Sequence, residues 1–164
     1  MGDSLSLFEK IVRSIPGVKT PPVDIAPVEH PFESHNIHPS LPKIVLKLFD
    51  DGHYAQATLE AFKFVDKEVS RLSKLNESGF KLMMTAFAEN TPPIKLNDGG
   101  SVTEKDEQKG FQFLFAGSML AIRNPRAHDY AIRDSPDRCL DHLSLVSALL
   151  RRLESAGCKL KEAS

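Results

Sequence analysis

One run of the sequence places two guanidiniums, an amide and an imidazole within six residues, in the segment Arg123-Asn124-Pro125-Arg126-Ala127-His128. Cleavage of a phosphodiester by a neighbouring 2′-hydroxyl needs a base for the hydroxyl proton, an acid for the leaving oxygen and a positive charge for the phosphorane. Histidine titrates near neutral pH, and arginine binds phosphate through a planar, permanently charged fork. Arg123 and His128 are therefore predicted to be catalytic, with Asn124 orienting the phosphate or the imidazole.

The same run also fits a purely structural interpretation. Cations near the C-terminal end of a helix are favoured by the helix dipole. Arg123 and Arg126 could also pair with the acidic residues that follow, at Asp129, Asp134 or Asp137. The environment of the histidine discriminates between the two interpretations, because burial against apolar side chains favours a structural role and exposure beside the arginine favours catalysis.

Pro125 is predicted to shape the end of the preceding helix. Proline removes a backbone donor and disfavours α geometry at the residue before it, here Asn124. We therefore expect the helix to kink or break at this point and to turn Arg123 and His128 toward a common exposed groove. No metal ligand and no cofactor is predicted at this run.

Stripes of apolar residues at helical spacing predict the elements that carry the run, and no segment alternates long enough to predict a strand. Helices are predicted at 44–49, 54–72, 80–87, 103–122 and 136–156. The fourth of these is apolar nearly all round, which predicts the central buried helix of the bundle, with Thr103 and Asp106 approximating a capping box. Gly110 and Gly117 lie seven residues apart on one face of it, which would let a neighbouring helix approach closely. Much of the core is predicted to come from Phe111, Leu114, Phe115, Leu120 and residues 143–150.

The chain ahead of the bundle is predicted to be an arm. Apolar residues between Leu5 and Val12 predict a short helix, and the proline-rich segment 17–42 predicts an extended linker or a strap over the surface. We expect an all-α fold, with an N-terminal helical arm and Pro-rich linker at 1–40 and a helical bundle at 41–164. Four histidines in or near the linker lack the cysteines or the fixed spacing of a metal site and are predicted to be solvated, namely His30, His35, His38 and His53.

Composition restricts the class of protein. A chain of 164 residues with 41% hydrophobic and 26% charged residues predicts one globular domain, and a net charge of −1 gives no support for nucleic-acid binding by charge alone. Two cysteines predict neither a disulfide framework nor a zinc cluster. Because the start lacks a signal-like pattern and no apolar stretch is long enough to span a bilayer, we expect a soluble, cytoplasmic protein without a membrane partner.

The run Arg123-Asn124-Pro125-Arg126-Ala127-His128 resembles the signature of the HEPN superfamily, an Arg and a His separated by four to six residues with a polar residue after the Arg. The segment from about Pro42 to Gly157 resembles the prokaryotic Ymh-like family of HEPN proteins. This second resemblance rests on Gln108-Lys109-Gly110, on Gly117, on the Arg-to-His run and on the leucine-rich last helix.

This resemblance implies a HEPN-like helical bundle in which two subunits pair about a two-fold axis and bring both motifs into one cleft. It implies a metal-independent endoribonuclease of toxin or phage-defence systems, with RNA as substrate and with an antitoxin or nucleotidyltransferase partner. Arg123 and His128 would be catalytic and Asn124 supportive, whereas Arg126 and Asp129 fall on variable positions of the pattern. Arg126 is itself expected to contact RNA. Tyr130 extends the likeness to the R-x4-H-x-Y pattern of HEPN toxins, in which that tyrosine accepts a nucleotide.

Two other functions stay open from the sequence. One is a HEPN-like module that binds RNA or a partner without cutting, because a fold can keep a motif as a scaffold. The other is a helical dimerisation domain in which the arginines only form ion pairs.

Overall fold

The computed structural model describes residues 29–161 together with Leu7, Lys10, Ile11 and Ser14. The predicted helix between Leu5 and Val12 lies mostly outside the described residues. The helices of the described part are α1 (Pro31–Ser34), α2 (Lys43–Asp50), α3 (Tyr54–Ser73), α4 (Gly79–Ala86), α5 (Val102–Ser118), a π-helical turn (Met119–Arg123), α6 (Asn124–His128) and α7 (Pro136–Ser155). No strand occurs among these residues, and the all-α prediction is confirmed.

Residues 29–42 pack against the bundle as a strap. The backbone N–H of His38 donates to the Ser147 hydroxyl of α7 over 2.9 Å, and the His38 Nε2 lies 3.0 Å from a carboxylate oxygen of Glu154. Because the Nδ1 accepts from the backbone N–H of Ser40, the Nε2 carries the proton and donates it to that carboxylate. His38 is only 4% exposed, so the prediction that it is a solvated linker histidine was wrong.

The central helix is α3. It contacts α2, α4, the π-helical turn, α6 and α7. Its predicted apolar stripe is confirmed, because Ala57, Ala61, Phe62, Val65 and Val69 are fully buried. The turn before it contains Gly52 at φ 78°, a left-handed conformation that ends α2 and that glycine adopts without steric cost.

The helix α5 lies at the side of the bundle, and its predicted central position was wrong. Its buried face packs on α4, where the rings of Phe115 and Phe87 stack with centroids 4.3 Å apart. Leu114 and Leu120, both predicted to be core residues, are 52% and 49% exposed. Its capping box also lies two residues earlier than predicted, because the Ser101 hydroxyl accepts from the backbone of Glu104, whose side chain accepts from the backbone of Ser101.

The helix α7 closes the core against α3. It begins at Pro136, as predicted, after the Ser135 hydroxyl accepts from the Arg138 backbone. Its buried apolar residues confirm much of the predicted core in this segment, namely Leu143, Val146, Leu149 and Leu150. No helix in the described part of the chain has both the length and the apolar character needed to cross a membrane.

Candidate functional site

A π-helical turn joins α5 to α6 and keeps the helix continuous through the motif. The Asn124 backbone donates to the Met119 carbonyl, five residues earlier, and Asn124 is in right-handed α geometry at φ −63° and ψ −45°. A proline ring in a helix clashes with the carbonyl four residues before it, and a wider turn at that point makes room for the ring. The helix therefore does not break at Pro125, and the irregularity that was predicted there takes the form of a wider turn.

The π-helical turn and α6 present Asn124 and His128 together. The two residues are four apart, which places them one above the other on one helix face. His128 is exposed at the end of α6, whereas Asn124 and Arg123 are half-buried. The Arg123 Nη1 donates to the Asn124 side-chain oxygen over 3.1 Å, so the asparagine amide holds the guanidinium toward the face that carries the histidine.

Arg123 keeps hydrogen-bonding capacity. Its Nε is out of contact with solvent and has no acceptor, and the guanidinium forms no ion pair among the described residues. A second arginine with such an Nε, Arg152, has its guanidinium carbon 5.3 Å from the centroid of the Phe111 ring, which offers an attractive π face. Arg123 lies over no aromatic ring in the part of the chain that the structure describes. Because the Nε is closed to solvent, an acceptor from outside the subunit would have to bind at Nη2, which donates no hydrogen bond among the described residues.

Arg126 has a different environment from Arg123. Its Nε and Nη2 donate to the two carboxylate oxygens of Asp134 over 2.7 and 2.6 Å, and its Nη1 donates to the Ile122 carbonyl over 2.8 Å. The side chains of this ion pair are 3% and 0% exposed. Contact with RNA was predicted for Arg126, but the guanidinium would have to break a buried bidentate pair to reach a phosphate. We assign it to the scaffold, as the structural interpretation expected for this residue.

The electrostatics of this scaffold follow from burial. Burial alone would raise the pKa of Asp134, but the hydrogen bonds and charge of Arg126, with smaller contributions from His142 and Arg138, hold that pKa below its ordinary value. Burial and the charge of Arg126 lower the pKa of His142. The carboxylate is therefore ionised and the imidazole neutral at pH 7.

The loop after α6 carries Tyr130, which is 94% exposed. Asp129 leaves helical geometry and ends α6, and its carboxylate accepts from the Ala131 backbone over 2.8 Å. Tyr130 is therefore not part of the core. The hydroxyl is accessible, as a nucleotide acceptor requires.

An apolar stripe runs along the outer face of α5 to the motif. Phe113 and Leu114 of α5 and Leu120 of the π-helical turn are each about half exposed, at 54%, 52% and 49%. Gly110 and Gly117 interleave with them at helical spacing, and a Cβ added at either glycine would meet no atom within 4 Å. Nothing within the described part of the subunit therefore requires these two positions to be small.

A pocket of about 440 Å³ lies beside the motif, and it includes Arg126 but not Arg123, Asn124 or His128. One side is the turn 52–56 before and within α3, and the other is the loop 129–134. Sequence patterns did not indicate this pocket, because its two sides are more than seventy residues apart in the chain. For the same reason, the sequence did not indicate that His142 interacts electrostatically with Arg126 and Asp134. Among the described residues no group of three or more His, Cys, Asp or Glu side chains is arranged to hold a metal ion.

The chain belongs to a family of proteins of unknown function, Hypoth_Ymh, whose model matches residues 35–153. The match covers the bundle, the motif and most of the last helix. No curated protein and no solved structure matched the chain.

Proposed function

We propose that the protein is a metal-independent endoribonuclease of HEPN type that works as a two-fold dimer. The observation that carries the proposal is the exposed helix face on which His128 and Asn124 align, with the Arg123 guanidinium held there by the Asn124 amide. The imidazole exchanges protons with the 2′-hydroxyl and the leaving 5′-oxygen. The guanidinium, which has no ion-pair partner among the described residues, takes the phosphorane charge.

Dimerisation follows from the demands of the reaction. One subunit offers one imidazole at the motif, whereas attack by the 2′-hydroxyl asks for both a base and an acid. A two-fold dimer brings two histidines to one cleft and leaves the two copies free to act differently during turnover.

The apolar stripe of α5 supports a second copy as the neighbour. Exposed Phe113, Leu114 and Leu120 would be covered, and the unfilled space above Gly110 and Gly117 would let the partner helix approach closely. Because the stripe leads directly into the π-helical turn and α6, a copy docked along it would bring its own motif beside the first.

A cleavage assay tests the catalytic part. Mixed RNA incubated with an excess of EDTA should yield a 2′,3′-cyclic phosphate and a 5′-hydroxyl, and DNA should be spared because it lacks the attacking hydroxyl. Arg123→Ala and His128→Ala should each abolish cleavage with an unchanged circular dichroism spectrum. His35→Ala, which replaces an exposed histidine outside the motif, should cleave like the parent. RNA that is bound but left intact by the parent would indicate a binding module instead.

A mixing experiment tests the shared site. Dimers formed from an Arg123→Ala subunit and a His128→Ala subunit retain one arginine and one histidine on different chains, so only partial activity, but more than that of either variant alone, is expected. Phe113→Glu should give a monomer without activity, whereas Ile44→Glu, at a residue that is 46% exposed on α2, should leave the dimer intact. A protein that stays monomeric and loses cleavage in EDTA would contradict the proposal.

A further inference from the structure

The pocket of about 440 Å³ beside the motif is large enough for a small ligand, since ligand pockets span roughly 300–1,000 Å³. Its loop side begins at Asp129, the residue directly after His128, and Arg126 of the motif helix lines it. We infer, on the basis of the nuclease function proposed above, that this pocket receives the base of an unpaired RNA nucleotide next to the cleaved phosphate.

The charge of the lining favours a base over a phosphate as the occupant. Arg126 and Asp134 neutralise each other in a bidentate pair, and the Asp129 carboxylate accepts from the Ala131 backbone. The charge of Arg133, which also lines the pocket, is offset by that of Asp129, so the lining offers polar groups without excess positive charge. A base, which is neutral and has hydrogen-bonding edges, suits such a lining better than a phosphate does.

Tyr130 lies at the rim of the pocket and exposes 94% of its surface, so its ring packs against nothing in the described part of the subunit and is free to contact a ligand. Proteins that bind single-stranded RNA commonly stack unpaired bases on aromatic side chains, and every base has a π face for this contact. Tyr130 is two residues beyond His128, a separation that suits a nucleotide adjacent to the one being cleaved. The tyrosine ring, rather than its hydroxyl, is what this role requires.

Arg133 supplies a positive charge at the same edge. Its Nη1 donates to the carbonyls of Tyr130 and Ile132 over 2.7 and 3.1 Å, which fixes the guanidinium beside the tyrosine. The Nε and Nη2 make no recorded hydrogen bond among the described residues. These donors can hold the phosphate that follows the stacked base.

Binding of a fluorescein-labelled single-stranded RNA with 2′-O-methyl riboses tests the inference, because this probe lacks the attacking hydroxyl and stays intact with the parent protein. Tyr130→Ala should raise the Kd about 5- to 150-fold, which corresponds to about 1–3 kcal/mol of stacking. Tyr130→Phe should bind like the parent. Arg133→Gln should reduce the slope of log K against log salt by about 0.7, the loss of one phosphate contact on a single strand. Lys67→Gln, at an exposed lysine of α3, should change neither quantity.

The outcomes separate this inference from the nuclease function. Unmodified RNA that stays intact, together with weaker probe binding by Tyr130→Ala, would retain the pocket as a base site and remove the nuclease function. Parent-like binding by Tyr130→Ala would overturn the pocket inference, even if RNA is cleaved. A loss of affinity in Tyr130→Phe as large as that in Tyr130→Ala would also overturn the pocket inference, because the hydroxyl and not the ring would then make the contact.

Discussion

Replacing Asp134 by Asn should cost about 3–5 kcal/mol of unfolding free energy at pH 7. The substitution keeps the shape of the side chain but removes the negative charge that Arg126 meets through two hydrogen bonds. Both side chains are almost completely buried, at 3% and 0% exposed, so the guanidinium would be left as an uncompensated buried charge. Loss of the partner's charge, rather than loss of a contact, sets this magnitude.

An exposed ion pair in α2 provides the matched control. Lys47 and Asp51 lie 3.1 Å apart, but their side chains are 70% and 49% exposed. Asp51→Asn should therefore change the stability by only about 0–1 kcal/mol. Urea denaturation followed by circular dichroism measures both variants at one protein concentration. A cost for Asp134→Asn no larger than that for Asp51→Asn would refute the reasoning.

The lowered pKa of Asp134 also predicts how its contribution to stability changes with pH. The pKa of Asp134 is lowered in the folded protein, so its contribution is present above the ordinary value of 3.8 and is lost as the pH falls through the lowered value. The gap between the parent and Asp134→Asn should close only in that acid range. The pKa of His142 is lowered by burial and by Arg126 and raised in part by Asp134, so stability falls as the pH drops below its ordinary value of 6.5, and more so in Asp134→Asn. A double replacement, Arg126→Met with Asp134→Leu, should recover most of the loss, because it removes both charges.

Two further predictions concern α5. Phe115→Ala should cost about 3–5 kcal/mol in urea denaturation because its ring is fully buried, whereas Phe113→Ala, 54% exposed, should be near neutral at low protein concentration. Equal costs would contradict the placement of the helix. Gly117→Ala should stabilise the subunit by roughly 0.5–1 kcal/mol, since an added Cβ meets nothing within 4 Å, yet it should weaken self-association in analytical ultracentrifugation. Unchanged self-association would argue against a close helix contact there.

The sequence predicted correctly those helices that pack against the core of the same subunit. The stripe of α3 and the start of α7 at Pro136 were correct, because burial against one core produces a regular period and a clear cap. The position of a helix within the bundle was harder to predict from the sequence. The segment that became α5 is apolar on several faces, and a period does not tell whether the same chain or another molecule covers a face.

The candidate site was predictable in its residues and not in its geometry. Arg123, Asn124 and His128 stand out by type and spacing, but the local rule for Pro125, which predicted a kink or a break, did not indicate the π-helical turn that keeps the helix continuous. The remaining wrong predictions involve residues whose contacts lie far away in the sequence. His38 is buried because residues more than one hundred positions later supply its hydrogen bonds, and no local pattern announces them.

The two arginines of the motif lie in different environments, and the difference suits them to different roles. Arg126 is three residues after Arg123, yet it points into the bundle, where Asp134 and the Ile122 carbonyl hold it. That contact joins the π-helical turn to the loop after His128, so the histidine lies between two points fixed by one buried guanidinium. Among the described residues Arg123 donates only to the Asn124 amide. If the proposed nuclease function holds, the buried Arg126 would supply the rigid frame and Arg123 the cation that stabilises the transient charge.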